Sequence, residues 1–379
     1  MTADLLIRNA RLTGEDHTSW LLVGDGLILA RGFEAEPGAP AVHDAGGALV
    51  VPGFIDMHCH GGGGASGEDG TESILRAAAF HRTHGTTSIV ISLATAPLEV
   101  MLRRLSEIAA ASEQDDRILG AHLEGPFLSP VHRGAHDERL LRTPTLPAIE
   151  QILQAARGRL RQITLAPETA PAGVIEALTA AGVRVAVGHT AATRDQAADA
   201  FARGASILTH AFNGMPGIHH RQPGPIAAAW RDPSVTLEVI ADGVHVHPDM
   251  IAMLFALAPE RTALVTDAIA AAGAPDGEYP LGAFVATVRD GVARIGTDGS
   301  LAGSTLTLDR ALRTVVGAGV PLETAVLAAT RVPAHALGYE APLGTLEPGA
   351  PADIVQLDAG LEVSAVWSRG RVVELGRTG

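Results

Sequence analysis

Two histidines separated by one residue, His58 and His60, could place two imidazole rings on one side of an extended chain. In a strand the side chains of residues i and i+2 point to the same face, so Cys59 between them faces the opposite way. Imidazole nitrogens are ligands for Zn²⁺ and Fe²⁺, and such a pair can supply part of a metal site. Taken alone, two histidines are explained equally well as unrelated core or loop residues.

Four more titratable residues each close a short apolar run. They are Glu124, His189, His210 and Asp267. Any one of them could be a hydrogen-bonded core histidine or a helix-capping carboxylate. If all four runs are strands of one parallel sheet, however, their side chains meet the H-x-H pair at one edge, and this joint placement favours a metal site.

The elements that must position these groups alternate along the middle of the chain. Short β-branched runs alternate with Ala- and Leu-rich helical stretches, a pattern typical of βα units with a parallel sheet. Eight such strands over about 250 residues predict a (β/α)8 TIM-type barrel, in which chemistry lies where strands end and loops begin. The predicted strands are 54–58, 86–92, 118–124, 162–166, 183–189, 206–210, 235–242 and 263–267.

The two ends of the chain follow a different pattern. Short strands broken by turns run from residue 4 to about 51, with Asp25-Gly26 as a hairpin signal, and the same style returns near the C-terminus. We therefore predict an α/β protein with two parts. Residues 53–343 form the barrel, and residues 1–52 and 344–379 together form a small β-sandwich module built from both termini.

The amino-acid composition excludes several catalytic mechanisms and kinds of partner. The 379 residues include 28 basic and 42 acidic groups, for a formal net charge of −14, and every basic residue is Arg. Without lysine there can be no Schiff base, no P-loop lysine and no metal pair bridged by a carbamylated lysine. The acidic balance argues against nucleic-acid and membrane partners. One cysteine and the lack of a signal peptide or membrane-length apolar run predict a cytoplasmic protein.

If two metals are present, a carboxylate must therefore bridge them. Glu124, His189 and His210 make one complete metal site, and the H-x-H pair could hold a second ion that shares Glu124. Asp267 is then left as a base beside a metal-activated water molecule. We expect one or two divalent ions per chain, with Zn²⁺ preferred and Fe²⁺ as the alternative.

Longer stretches carry a specific resemblance. In order and spacing the chain resembles the N-acetylglucosamine-6-phosphate deacetylases of the amidohydrolase superfamily in PGFIDMHCHGGGG, GAHLEGPFLSPVHRGAH, TLAPE, VAVGHTAA, LTHAFNGMPGIHHRQPG, EVIADGVHVHP, LVTDAIAAAG and LAGSTLTLD. The H-x-H pair and the closing segment GTLEPGAPADIVQLD are widespread among amidohydrolases. HLEGPF, and HAFNGMP followed by an Arg, are far more restricted.

The resemblance implies residue roles. It makes Glu124, His189 and His210 ligands of the principal metal, Asp267 the catalytic acid/base, and His136 a group that polarises the acetamide carbonyl. Members of the family differ over the H-x-H pair, so the number of metals stays open. The implied substrate-binding residues are Ala135, Asn213, Gly214, Arg221, His245, Leu301, Ala302 and Gly303.

The implied activity is hydrolysis of N-acetylglucosamine 6-phosphate to glucosamine 6-phosphate and acetate. The resemblance also implies a homodimer, in which Arg221 or His245 could reach the phosphate across the interface. Two alternatives stay open. One is deacetylation of another N-acyl amino-sugar phosphate, such as the galactosamine epimer; the other is a non-catalytic barrel, which would be expected to have lost ligands or the base.

Several polar residues are assigned no direct role in the chemistry. His81 and His84, near the end of a helical stretch, are predicted to cap it or face solvent. His122 shares a strand face with Glu124 and is predicted to support the barrel interior, and Glu168 is predicted to stand behind the ligands.

Overall fold

Both ends of the chain build one sheet in the computed structural model, which describes residues 2–296, 299–339 and 342–375. Numbered in chain order, its strands are β1 (Leu5–Leu12), β2 (Thr18–Gly24), β3 (Leu27–Gly32), β4 (Ala41–Asp44), β5 (Leu49–Pro52), β20 (Ile354–Leu357), β21 (Val363–Ser368) and β22 (Arg371–Val372). Their order is β22-β21-β20-β5-β1-β2-β3, and β4 also pairs with β1.

This terminal sheet has its own apolar core. Ile7, Leu21, Ile354 and Trp367 are buried in a cluster separate from that of the barrel. At the predicted Asp25-Gly26 turn both residues have positive φ, as the tight turn between antiparallel strands requires. The predicted β module built from both termini is confirmed; its limits at residues 52 and 344 stay a prediction.

Eight parallel strands follow one another around a nearly closed barrel. They are β6 (Phe54–Cys59), β9 (Thr86–Leu93), β10 (Ile118–Glu124), β11 (Leu160–Leu165), β12 (Arg184–Val187), β13 (Ala205–Leu208), β14 (Thr236–Ile240) and β15 (Thr262–Val265). The last strand meets the first just beyond its end, where Asp267 N–H donates to the His58 carbonyl at 2.8 Å. The predicted (β/α)8 barrel is confirmed, and each predicted strand overlaps an observed one.

The barrel is surrounded by helices. They are α1 (Thr71–Thr83), α2 (Leu98–Gln114), α3 (Leu146–Ala156), α4 (Val174–Ala180), α5 (Arg194–Ala202), α6 (Gly224–Arg231), α7 (Pro248–Leu257), α8 (Leu308–Gly317), α9 (Leu322–Ala329) and α10 (Arg331–Ala336). In α2, Met101, Leu105 and Ile108 are buried at the spacing of one helix face. Across the described residues, every helix falls short of the length and apolarity that crossing a membrane would need.

Two small sheets lie in the loops at the carboxyl ends of the barrel strands. After β6, β7 (Gly61–Gly62) pairs with β8 (Ala65–Ser66). Between β15 and α8 the chain forms an antiparallel sheet of β16 (Gly277–Leu281), β17 (Phe284–Arg289), β18 (Val292–Ile295) and β19 (Ser300–Leu301). Sequence analysis did not predict this inserted sheet, although Asp290-Gly291 carries the hairpin signal.

Candidate active site

The carboxyl ends of three barrel strands bring one predicted metal site together. The Nε2 atoms of His189 and His210 each lie 3.1 Å from Oε1 of Glu124, and they lie 3.1 Å from one another. All three side chains are buried. Glu124 is the last residue of β10, and the two histidines follow β12 and β13.

The H-x-H pair contacts both oxygens of the same carboxylate. His60 Nε2 lies 3.2 Å from Glu124 Oε2 and 3.3 Å from Asp267 Oδ1. His58 Nε2 lies 3.5 Å from Glu124 Oε1, 3.4 Å from Asp267 Oδ1 and 3.3 Å from His60 Nε2. Ligand atoms of these four residues all lie within 4.8 Å of one another.

This donor set fits a divalent cation. Two carboxylates and four imidazoles have been removed from water, and the ring nitrogens face carboxylate oxygens and each other rather than hydrogen-bond donors. His189 shows the ligand tautomer, because its Nδ1 lies 2.9 Å from the His132 carbonyl oxygen, which can only accept. The proton is therefore on Nδ1, and Nε2 offers its lone pair to the cluster.

The two carboxylates require positive charge beside them, which either protonated imidazoles or a bound cation can supply. Burial alone would raise the pKa of the Glu124 carboxyl, but His58 and the hydrogen-bonding imidazoles hold it well below its usual range. Burial likewise opposes ionisation of Asp267, yet the positive field of His58 and the contact with His60 lower its pKa. Both carboxylates are therefore ionised at neutral pH, as cation ligands and bases must be.

Three of these residues lie in the left-handed region of backbone space. The φ angles of His189, His210 and Asp267 are +44°, +26° and +48°. Such a conformation costs a residue with a side chain roughly 1–3 kcal/mol and is concentrated at functional sites. Here it follows directly after β12, β13 and β15, where the chain leaves the barrel and turns these side chains towards the shared Glu124.

His136 presents a hydrogen-bond donor to the same centre. The backbone N–H of Thr95 donates to His136 Nδ1 at 3.3 Å, so that nitrogen must be an acceptor. The proton of the neutral ring is therefore on Nε2, which lies 3.5 Å from Glu124 Oε2. Burial lowers the pKa of His136 and keeps the ring neutral.

A cavity opens directly above these groups. All the candidate catalytic, metal-binding and substrate-binding residues line it, with the exceptions of His58 and Arg221. His58 lies beneath the cavity, fully buried against the candidate ligand Glu124. Arg221 is exposed on the loop after β13, with Nη1 at 2.6 Å from His220 Nε2, so this chain does not bring it to its own cavity.

His245 lines the cavity beside a carboxylate. Its Nδ1 lies 2.7 Å from Asp242 Oδ2 in a partly buried pair. Burial would lower the pKa of His245, but the hydrogen bond and charge of Asp242 raise it above its usual value. The ring is therefore protonated over a wider pH range than a free histidine.

Sequence analysis missed several cavity residues. Ala94, Ile240, Ile269 and Leu281 line it with apolar surface. Leu281 comes from the unpredicted inserted sheet, and the hairpin signal in that segment could have indicated it. The others are ordinary apolar residues at strand or loop positions, and nothing in their local sequence distinguishes them.

The prediction for His81 is wrong. The ring is fully buried, with Nε2 at 2.9 Å from the Gly61 carbonyl oxygen and 3.3 Å from Cys59 Sγ. Burial lowers its pKa to about 4, so it is neutral. The glycine-rich turn after the H-x-H pair makes room for it, because a Cβ at Gly62 would lie 2.6 Å from that Nε2. His84 does cap α1, as predicted.

The predicted supporting residues lie behind the candidate metal ligands. His122 is fully buried between Ser92 Oγ at 2.9 Å and Thr164 Oγ1 at 2.8 Å. Glu168 accepts hydrogen bonds from Thr190 Oγ1 at 2.5 Å and the backbone N–H of Ala191 at 2.6 Å, directly after His189.

Comparison with known proteins identifies the family. Residues 49–373 match the model of the Amidohydrolase family. The chain belongs to the amidohydrolase family.

Among its relatives are two bacterial deacetylases. The N-acetylgalactosamine-6-phosphate deacetylase of Escherichia coli O157:H7 is 39% identical over 364 residues, which cover 94% of this amidohydrolase and 95% of that protein. The N-acetylglucosamine-6-phosphate deacetylase of Vibrio furnissii is 36% identical over 330 residues, covering 86% of this chain and 82% of that protein.

A solved structure is also similar along its whole length. The N-acetyl-D-glucosamine-6-phosphate deacetylase of Mycobacterium smegmatis superposes with a TM-score of 0.91 at 41% identity. The match covers 98% of this chain and 100% of that one. A variant of the same enzyme has been solved in complex with N-acetyl-D-glucosamine-6-phosphate.

Proposed function

We propose that this amidohydrolase hydrolyses the N-acetyl group of N-acetylglucosamine 6-phosphate to give glucosamine 6-phosphate and acetate. One observation carries the proposal. Three groups line a single cavity. Glu124 is a carboxylate that could bridge metals, Asp267 is an ionised second carboxylate, and His136 is a neutral imidazole donor. Amide hydrolysis needs these three functions: an activated water, a proton carrier and oxyanion stabilisation.

Glu124, His189 and His210 would hold one divalent ion, for which we propose Zn²⁺ with Fe²⁺ as the alternative, and the H-x-H pair offers a second position. When bound, the ion would supply a water molecule activated for attack at neutral pH. The donor set of imidazoles and carboxylates supports this choice, because it matches the ligands that these metals prefer.

Asp267 is the proposed general base and acid. Its Oδ1 lies beside His58 and His60 at the edge of the cavity, and its lowered pKa leaves it ionised and ready to accept a proton from the attacking water. The same carboxyl can then return that proton to the amine nitrogen as the C–N bond breaks. One residue thereby serves both halves of the hydrolysis.

His136 is the proposed oxyanion donor. Its Nε2–H is directed to the cluster because Thr95 occupies Nδ1. A neutral imidazole donor stabilises the negative charge that develops on the acetamide oxygen without adding a proton that the reaction must remove.

Phosphate recognition is proposed to use His245 with Asn213 and Gly214, which lie together on the cavity wall. Arg221 is proposed to reach the phosphate bound by a second subunit of a homodimer. The exposure of Arg221, away from its own cavity, supports this arrangement. Sedimentation together with activity on dilution tests it: activity that is constant while the dimer dissociates would contradict a shared site.

We also propose a cytoplasmic location, which the single, fully buried cysteine supports.

The galactosamine epimer is the second candidate substrate, because the 39% identical relative carries that name. The deciding experiment measures kcat/KM of the metal-loaded protein on both N-acetylated 6-phosphates and on both sugars without phosphate. We expect the glucosamine compound to be preferred and loss of phosphate to cost at least 10-fold, from loss of about 1.4 kcal/mol or more of binding. Preference for the epimer would reassign the substrate. No hydrolysis by a metal-loaded protein would favour a non-catalytic barrel.

A further inference from the structure

Glu238 is a carboxylate without a role in the chemistry above. It lies on β14 inside the barrel, with no exposed surface, and it does not line the cavity. A carboxyl group without access to water is costly unless hydrogen bonds replace its hydration. Its partners therefore indicate why the fold contains it.

Three donors surround this carboxyl. Oε1 accepts from Gln162 Nε2 at 2.7 Å. Oε2 accepts from Nδ1–H of His58 and from the backbone N–H of His210, both at 3.2 Å. One side chain thus contacts the H-x-H pair and the strand end that carries a ligand of the principal metal site.

The contact with His58 determines how that ring faces the cluster. Because Oε2 can only accept, the ring proton is on Nδ1, and the Nε2 lone pair is directed towards Glu124 and Asp267. A carboxylate on the outer nitrogen fixes the tautomer and orientation of a histidine ligand and increases its basicity.

No other histidine of the cluster has this support among the described residues. His189 donates from Nδ1 to a carbonyl oxygen, and the Nδ1 atoms of His60 and His210 are buried without a hydrogen-bond partner in that part of the chain. The one carboxylate is therefore directed at the most deeply buried ring, which sequence analysis could not separate from an ordinary core histidine.

We infer that Glu238 is a positioning residue: its carboxylate fixes the Nδ1–H tautomer and the orientation of His58 and thereby strengthens the binding of an ion at the H-x-H pair. The inference rests on the proposed metal-dependent function. It accounts for a buried carboxyl group in the barrel interior and predicts that replacing this group weakens metal binding at the H-x-H pair.

The test measures metal binding directly. Apo protein is titrated with Zn²⁺ against a chelating indicator, and the metal content of the loaded protein is measured by plasma mass spectrometry. Wild type is expected to bind two ions. Glu238→Gln keeps the shape of the side chain but offers one acceptor oxygen to three donors, so it is expected to lose one ion or to bind it 10- to 100-fold more weakly.

Gln162→Met is the matched control. It removes a donor from Glu238 in the same buried network but leaves the contact with His58, so two ions are expected.

A double-mutant comparison tests whether Glu238 acts through His58. His58→Ala alone is expected to lose the second ion. Adding Glu238→Gln to His58→Ala is then expected to change the remaining metal affinity far less than Glu238→Gln changes the metal affinity of wild type. Equal effects of Glu238→Gln in both backgrounds would overturn the inference.

If Glu238→Gln does not fold, Glu238→Asp keeps the charge and shortens its reach to Nδ1, and the same loss is expected. Wild-type content of one ion, or full affinity in either soluble variant, would also overturn the inference. The two proposals fail separately. A two-ion protein that hydrolyses neither sugar phosphate contradicts only the function, and an active protein indifferent to Glu238 contradicts only the positioning role.

Discussion

Three buried carboxyl groups within one barrel differ in ionisation because their neighbours differ. Glu124 is surrounded by imidazoles and has a strongly lowered pKa, and Asp267 lies beside two of those rings. Asp56, below them, accepts a hydrogen bond from Thr266 Oγ1 at 2.6 Å, and burial raises its pKa to about 7. Environment, rather than residue type, thus separates candidate ligands and bases from a structural carboxyl.

Replacement of Asp267 tests the proton carrier. Asp267→Asn preserves the size of the side chain but cannot accept and return a proton, so kcat is expected to fall by about 10²- to 10⁴-fold. The histidines and Glu124 should still bind metal. Turnover numbers and metal content are measured on the same preparation, and near-wild-type turnover would contradict the assignment.

His245 predicts a pH dependence of substrate binding. Its raised pKa keeps the ring charged above the usual range, and the charge is lost as pH rises through that raised value. His245→Gln is therefore expected to increase KM by about 10- to 100-fold at low pH, the effect of losing a charged hydrogen bond of 1.5–3 kcal/mol, and by less at high pH.

The KM ratio of variant to wild type is measured at pH values above the second phosphate pKa of about 6, where the phosphate is a dianion throughout, so that a change in the ratio reports the ionisation of His245. The sugar without phosphate is the control and should show no such trend. A ratio that increases with pH would be inconsistent with a cationic His245.

At the level of elements, hydrophobic patterning predicted the barrel well but placed the ends of some strands too late. The predicted strands run through His189, His210 and Asp267, whereas β12, β13 and β15 end two residues earlier. The alternation of apolar residues and the β-branched side chains indicate which residues are buried, and His189, His210 and Asp267 are buried, so the predicted strands continue through them. The left-handed turn that follows each strand depends on tertiary contacts, which no local pattern contains.

The inserted sheet could have been predicted only in part. Its Asp290-Gly291 turn is a local signal, but its contact with the site depends on residues far apart in sequence. Ser304 N–H donates to the Asp267 carbonyl at 2.7 Å, and Ile269 N–H donates to the Ser304 carbonyl at 3.0 Å. These bonds return the chain from β19 to the barrel and place Gly303 on the cavity wall.

Gly303→Ala tests whether that return segment shapes the cavity. Gly303 has φ +60°, and a Cβ there would lie 2.5 Å from Ile269 Cγ2 and 3.0 Å from the Asp267 carbonyl oxygen. Gly282→Ala is the matched control, with φ +56° in the turn between β16 and β17 but its nearest contacts at 3.8 Å. Both carry a left-handed cost of about 1–2 kcal/mol. Only Gly303→Ala is expected to reduce kcat/KM, by about 10-fold or more, with metal content unchanged in both; equal kinetics would contradict the role.

At the scale of the whole molecule, arginine is the one permanently charged basic side chain that the sequence offers for joining the terminal sheet to the barrel. Arg117, just before β10, contacts Asp353, just before β20, with Nη1 at 2.6 Å from Oδ2. The side chains are only 8% and 7% exposed. Asp353 Oδ1 also accepts from the backbone N–H of Arg369 at 2.9 Å. We propose the division of the chain at residues 52 and 344, and this pair lies across it.

Asp353→Asn tests how strongly the two parts depend on one another. The change leaves the Arg117 charge buried beside only the exposed Asp116, so the free energy of unfolding is expected to fall by about 3–5 kcal/mol. Glu374→Gln, which changes an exposed carboxylate near the end of the described chain, is the control, and its unfolding free energy should stay within about 0.5 kcal/mol of wild type.

Guanidinium unfolding is followed both by far-UV circular dichroism and by the fluorescence of Trp367. The Trp367 signal is isolated by replacing Trp20 and Trp230 with Phe in every protein compared. If the pair couples the parts, both probes coincide in wild type, and in Asp353→Asn the Trp367 transition moves to lower denaturant ahead of the barrel. An unfolding free energy equal to that of the control would show that this ion pair does not hold the terminal sheet to the barrel.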